Sequence, residues 1–172
     1  MLIAFGTPDN PLEPLASPAE LAGFKGGPFA DAVTAAAGDS IRDECGWHIA
    51  PQITTTMRFR GDGTTIMLPT MRLIEAPVVK DQDGYIVAGV EWYQNGVLEC
   101  PTGFPRYVEV IFRHGYSGCP RSLLPIVAER AQASSGGRIK SEALAGRSVS
   151  LEGGYDPISP GVLSRYKIQD GP

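Results

Sequence analysis

Thiols, imidazoles and clustered cations are all scarce in this chain, whose 172 residues include three Cys, two His and 15 Lys or Arg. Cys45, Cys100 and Cys119 are an odd number at wide spacing with no CxxC pair. That pattern suits free thiols folded in a reducing, cytosolic compartment better than a disulfide framework. No glycine-rich loop is followed by Lys-Ser or Lys-Thr, so a nucleotide-phosphate site has no support. No apolar run approaches the length that spans a bilayer, and "MLIAF" followed by "GTPDNPLEPLASP" cannot form the core of a signal peptide. The formal charge of −4, without any Lys/Arg run, argues against a protein that grips nucleic-acid phosphates.

Glycine and proline are plentiful instead, at 21 and 15 residues, and fall mostly outside the periodic segments. Hydrophobic content of 42% in a chain of this length supports one core with extensions rather than two domains. An N-terminal arm over 1–16 carries Pro8, Pro11 and Pro14 and should be extended. A helix of about 18–22 follows, capped by Ser17 with Pro18 at the first helical position and Glu20 completing a capping box. "PFADAVTAAAGDSIRDEC" predicts the longest helix, about 28–45, with Phe29, Val33, Ala36, Ala37, Ile41 and Cys45 on its apolar face. Asp31, Thr34, Asp39, Arg42 and Asp43 lie largely opposite, and Gly46 is the stop.

From about 52 to 113 the period changes to two, predicting about five antiparallel strands. They are "QITTTMRFR", "TTIMLP", "MRLIEAPVV", "YIVAGVEWY" and "YVEVIFR", with turns at Gly61-Asp62-Gly63, Asp83-Gly84 and Asn95-Gly96. Exposed Thr54, Thr56, Arg58 and Arg60 would leave one face wet or free to meet a neighbour. A third helix of about 120–134 carries the stripe Leu123, Leu124, Val127, Ala128 and Ala131. Pro125 kinks it if the helix begins at Pro120, and lies harmlessly in the first turn if Ser122 is the cap. The fold class is therefore α+β, a small helical domain over 17–137 with an inserted antiparallel β-region and extended arms, the C-terminal one over 138–172.

The stretch "SIRDECGWH" sets Asp43, Glu44, Cys45 and His48 within a few positions, the residue types of a metal or thiol site. Only His114 and Cys119 could complete such a site, by folding back, and no zinc-type spacing is present. The structural reading is preferred: Cys45 closes the apolar stripe, Trp47 anchors the corner, and His48 meets the carbonyl end of the helix. Gly115-Tyr116-Ser117-Gly118 misses the nucleophile elbow by its register, and the acidic pairs Asp43-Glu44 and Asp81/Asp83 have helix and turn explanations. Tyr85, Trp92 and Tyr93 could form a stacking platform for sugars or bases. No catalytic residue, metal or cofactor is expected. Beyond 138 the chain is sparse in core-forming residues but ends in Val162, Leu163, Tyr166 and Ile168, with Arg165 and Lys167 beside them. Such a cluster is expected to gain order from a partner, the alternative being a tail that folds back on its own subunit or on a neighbouring copy.

The order of these parts carries a resemblance. "IRDECGWHIAP" after a helix, a strand cluster, "RHGYSGCPRSLLPIVAERAQ", and a closing "LSRY" make the chain similar, from near Leu15 onward, to the head-to-tail adaptor (connector) proteins of long-tailed actinobacterial phages. The resemblance implies a non-enzymatic ring subunit in the virion neck, twelvefold to match the portal, assembled in the host cytoplasm. Its partners would be the portal protein, a stopper or other tail-neck protein, and copies of itself, with no membrane. Genomic DNA would pass through the lumen without sequence-specific binding, and a mildly acidic lumen would not hold it. Portal contact falls on Val162, Leu163, Arg165, Tyr166 and Ile168. The competing readings are a carbohydrate-binding or host-contact β module of the virion and, less favoured, a small hydrolase.

Overall fold

Sequence periodicity alone does not say which strand pairs with which, and here the long-range pairings define the molecule. The computed structural model describes residues 12–61, 63–135 and 158–168. The expectations for Pro8 and Pro11, for Asp62 in its turn, for the stop at Gly136-Gly137 and for 138–157 lie outside the described residues.

Helix α1 (Pro18–Leu21) starts as its capping box dictates: Ser17 Oγ accepts from the Glu20 amide at 3.3 Å, and Glu20 accepts from the Ser17 amide at 2.8 Å. Helix α2 (Asp31–Cys45) begins three residues later than the sequence predicts and stops at Gly46, which is left-handed at φ 79°. Its buried face also differs from the expectation. Thr34, Ala37, Gly38, Ile41, Arg42 and Cys45 point inward, so two residues assigned to the wet side are interior and Ala36 is exposed. Gly38 explains part of the shift. Any Cβ there would sit 2.9 Å from Leu15 Cβ, because the N-terminal arm crosses the helix at that point. Leu15 and Ala16, expected in an extended arm, are consequently buried in the helical core.

Among the described residues the β-region contains six strands rather than five, in two three-stranded antiparallel sheets. β1 (Ile53–Arg60), β6 (Tyr107–His114) and β3 (Val78–Asp81) form the first, in the order β1-β6-β3. β2 (Thr65–Met67), β5 (Val97–Glu99) and β4 (Glu91–Trp92) form the second, in the order β2-β5-β4. β1 and β2 are thus not a hairpin, although a Gly-rich turn separates them. "MRLIEAPVV" contributes only its end to a strand, with Leu73 making an isolated bridge to His114. The Asn95-Gly96 turn does close a hairpin, β4 to β5, with the Gly96 amide donating to Tyr93 O at 3.0 Å. The inward faces of both sheets share one apolar cluster, including Ile66, Leu73, Val79, Leu98, Val110 and Phe112.

Helix α3 (Leu124–Ser135) packs on α2 and buries Ile126, Val127, Ala128 and Ala131. Pro125 is its second residue, where a missing N–H costs nothing because the first turn has no intrahelical acceptor to meet it. Helix α4 (Ile158–Leu163) and the turn to Ile168 close the helical core, which is a second cluster built on Leu21, Ile41, Trp47, Ile49, Leu123, Val127 and Leu163. The class is α+β.

Candidate functional site

The stretch after α2 is where the two cores meet. Arg42 is buried, and its guanidinium donates to three backbone carbonyls: His48 O at 2.9 Å, Ala50 O at 2.5 Å and Glu13 O at 2.7 Å. A fourth bond, at 3.1 Å, goes to Asp39 one turn back. Burial pulls Arg42 below its ordinary value and Asp39 counteracts it; a guanidinium stays charged in any case. The side chain therefore ties the N-terminal arm, α2 and the loop 48–50 together. That loop needs tying, because Ile49 has φ 64°, a left-handed conformation that a β-branched residue adopts only under constraint.

From this loop an aromatic seam runs in both directions. His48 meets His114 of β6 with ring centroids 4.4 Å apart at 74°, and His114 meets Phe112 at 4.6 Å. On the other side Trp47 lies 5.7 Å from His48 and 6.2 Å from Tyr116, over which Arg72 stacks at 4.7 Å. His48 is not turned to the carbonyl end of α2, as expected from sequence. Its Nε2 faces Pro51 O at 2.7 Å, and a Cβ on Gly115 (φ 104°) would lie 2.6 Å from that nitrogen, so only glycine admits the contact. His114 Nε2 pairs with Thr55 Oγ1 at 2.9 Å.

The two histidines do fold together, but as packed rings. Among the described residues no group of three or more His, Cys, Asp or Glu is placed to hold a metal ion. Burial pushes the Cys45 thiol up to about 11 and the Cys119 thiol up to about 12, so neither is a nucleophile near neutral pH. Burial lowers His48 to about 4, with Arg42 adding repulsion, and lowers His114 to about 3, with His48 adding to the effect. Both are neutral in the native state near pH 7, while an unfolded chain takes up protons below about 6.5. Stability is thus full above that value and falls as the pH drops toward 4. Urea titrations at pH 7.5 and pH 5 should differ by about 2 kcal/mol per histidine, and His114→Gln should remove roughly half of the difference. Equal stability at both pH values would contradict this account of the seam.

The C-terminal segment lies on the same seam, and here the sequence expectation is corrected. Leu163 is 2% exposed in the helical core, and Val162, Tyr166 and Ile168 pack against that core, so the cluster finds its cover within its own chain. Trp47 Nε1 donates to Tyr166 O at 2.5 Å, the Ile168 amide to Cys45 O at 3.0 Å, and Ser122 Oγ pairs with Tyr166 OH at 2.8 Å. Lys167 meets Glu44 at 2.7 Å, and Arg130 of α3 reaches the same carboxylate. These two cations, Lys167 first, hold Glu44 below the usual carboxylate range. Arg165 alone of the named cluster is exposed.

Tyr85, Trp92 and Tyr93 do not make one platform. Trp92 stands opposite Leu98 and its neighbour Tyr93 points to the other face, where its hydroxyl donates to Glu99 at 3.4 Å. The outward face of the first sheet was not singled out as charged, yet among the described residues it carries Arg58, Arg60, Lys80, Arg113 and Glu109. Alternation along β1 was the only signal available.

No known protein-family profile matches the chain, and no curated protein matches it in sequence. Among solved structures, a chain from the neck of an empty GTA (gene transfer agent) particle, computed with C6 symmetry, is similar over 92% of both chains, with a TM-score of 0.59 at 16% identity; the likeness is one of fold.

Proposed function

We propose that this protein is a structural subunit of the head-to-tail neck of a phage-like particle, forming a ring beneath the portal that joins the capsid to the stopper and tail. The observation that carries the reading is the likeness over nearly the full length of both chains to a neck chain of a GTA particle. The packing of the seam supports a structural role: His48 and His114 are buried and stacked against each other and against Phe112. The ring is twelvefold to match the portal, and it encloses the path of the genomic DNA, which is read by no base-specific contact.

Portal contact, which the sequence assigns to Val162, Leu163, Arg165, Tyr166 and Ile168, belongs in this reading to the outward part of that cluster. Leu163 serves its own core, whereas Arg165 is exposed and flanked by half-buried Val162 and Tyr166. Arginine and tyrosine at the edge of an apolar patch are the residue types that anchor interfaces. Arg165→Glu should therefore leave thermal unfolding within about 0.5 kcal/mol of the parent and abolish co-sedimentation with portal-bearing capsids. Undiminished capsid binding by that variant would remove the assignment.

A further inference from the structure

We propose that the outward faces of the two β-sheets are the two halves of one head-to-tail interface, in which each copy of this chain seats its β2-β5-β4 face on the β1-β6-β3 face of the next. Inward, the two sheets share a single apolar cluster, so their outward faces look away from that cluster on different sides of the β-region. Residues paired in register project to the same side of a sheet. On the first sheet Thr56, Ile111 and Val78 form a middle row. Arg58, Glu109 and Lys80 form the row beside it, extended by Ile86 through its bridge to Lys80. On the second sheet Met67 and Val97 stand in one row with Tyr93, whose amide donates to Val97 O at 2.9 Å. Thr65, Glu99 and Glu91 form the next row.

Each face thus carries an apolar row one two-residue step, about 6.7 Å, from a charged row. Val78 and Ile86 are 41% and 65% exposed on the first face, and Met67 and Tyr93 are 48% and 47% exposed on the second, so both leave apolar surface in water. The charged rows differ in sign. On the first, Arg58 and Lys80 flank Glu109, which meets Arg58 at 3.3 Å while the Arg58 side chain remains 86% exposed. Asp81, next to Lys80, is occupied with its own turn, accepting from the Asp83 and Tyr85 amides at 2.9 and 2.8 Å. On the second, Glu91 and Glu99 stand directly opposite each other, an arrangement that repels within the isolated subunit and that a cation laid over it relieves. Glu99 foremost, and Glu91 with it, raises the Tyr93 phenol above its ordinary value, so the negative field reaches the apolar row.

Apolar residues at the centre with charge at the rim is the anatomy of a protein interface. Laying Met67, Val97 and Tyr93 on Ile111 and Val78 brings Glu91 and Glu99 over Arg58 and Lys80, because the row spacing is common to both sheets. Complementary charge selects the partner and fixes the register. Since one chain carries both members of the match, the partner is a second copy of itself. The two patches are different surfaces, so the contact is heterologous: every added copy leaves one face of each kind open, and the assembly closes only as a ring. The pairing of faces stands on the sheets alone, whereas closure of the ring in a particle rests on the proposed neck position.

Sedimentation velocity of the full chain at rising concentration should show species larger than a dimer. Glu91→Lys/Glu99→Lys makes both faces cationic, and Arg58→Glu/Lys80→Glu makes both acidic. Each variant alone should sediment as a monomer where the parent associates, and an equimolar mixture of the two should regain the parent's association, the two chains alternating. Val78→Glu removes no ion pair of the subunit and should also be monomeric, which keeps the test decisive if a charge-reversal variant folds poorly. A parent that stays monomeric at every concentration would overturn the pairing. So would association that stops at a dimer, which marks an isologous contact, a reversal variant that associates as the parent does, or a mixture that remains monomeric. Any of these results leaves the neck reading standing, because a portal can order a ring through other surfaces. Failure of the parent to bind portal-bearing capsids removes the neck reading without touching the pairing of faces.

Discussion

Arg42→Met is expected to cost about 3–5 kcal/mol of folding free energy, the largest effect of any single substitution considered. The thioether fills much of the space but donates nothing, so the carbonyls of Glu13, His48 and Ala50 lose a charged donor together. Hydrogen bonds to charged groups contribute about 1.5–3 kcal/mol each, and a buried acceptor left bare costs about 1–3 kcal/mol. The sum is not additive, because the loop can relax once Ile49 is released from its left-handed conformation. Arg42→Lys should recover only part of the loss, since a single ammonium cannot span the three acceptors as a planar fork does. Chemical denaturation with tryptophan fluorescence reads the result directly, because Trp47 is adjacent to the loop and buried. A loss below about 1 kcal/mol for Arg42→Met would mean that the clasp is incidental to the fold.

Deleting 158–172 should destabilise the protein by about 4 kcal/mol or more and lower its unfolding temperature by roughly 10 °C. Deletion uncovers the helical core. Leu163 is removed from the helical core, the Trp47 indole loses its acceptor on Tyr166, and Glu44 loses Lys167. Truncating a buried leucine costs about 2–5 kcal/mol, and the lost hydrogen bonds add to it. The sequence alone suggests the opposite outcome, an unchanged main transition, since the apolar residues of the tail have no visible partner there. Scanning calorimetry of the truncated chain separates the two. An unaltered transition would show that the C-terminal segment is not part of the subunit's core.

What was legible in the sequence was local. The Ser17 capping box, the Gly46 stop and the Asn95-Gly96 hairpin each depend on residues within a few positions, and each appears where the chemistry of those residues puts it. The third helix was also visible, and its Pro125 ambiguity was resolved by a start four residues beyond Pro120. What failed was long-range. Arg42 was assigned to the wet face of α2 because arginine is polar, but its acceptors lie in the arm and in the following loop, which periodicity does not locate. The bond from Trp47 to Tyr166 joins residues 119 apart, so nothing near either one announced it. Partition of the strands into two sheets likewise depends on β6 reaching back to β1 across the whole β-region.

The grouping of charged residues on the first sheet was hidden for the same reason: a strand spreads its outward residues two apart, and the rest of the group comes from other strands.

The central claim is that the chain is a neck ring subunit, and a cryo-electron map of particles carrying it tests that claim most directly. The account predicts a ring of density beneath the portal into which this α+β subunit fits as a repeating unit, with the exposed edge at Arg165 directed to the portal. A complete neck whose density accommodates no copy of this fold, in particles shown to contain the protein, would contradict it.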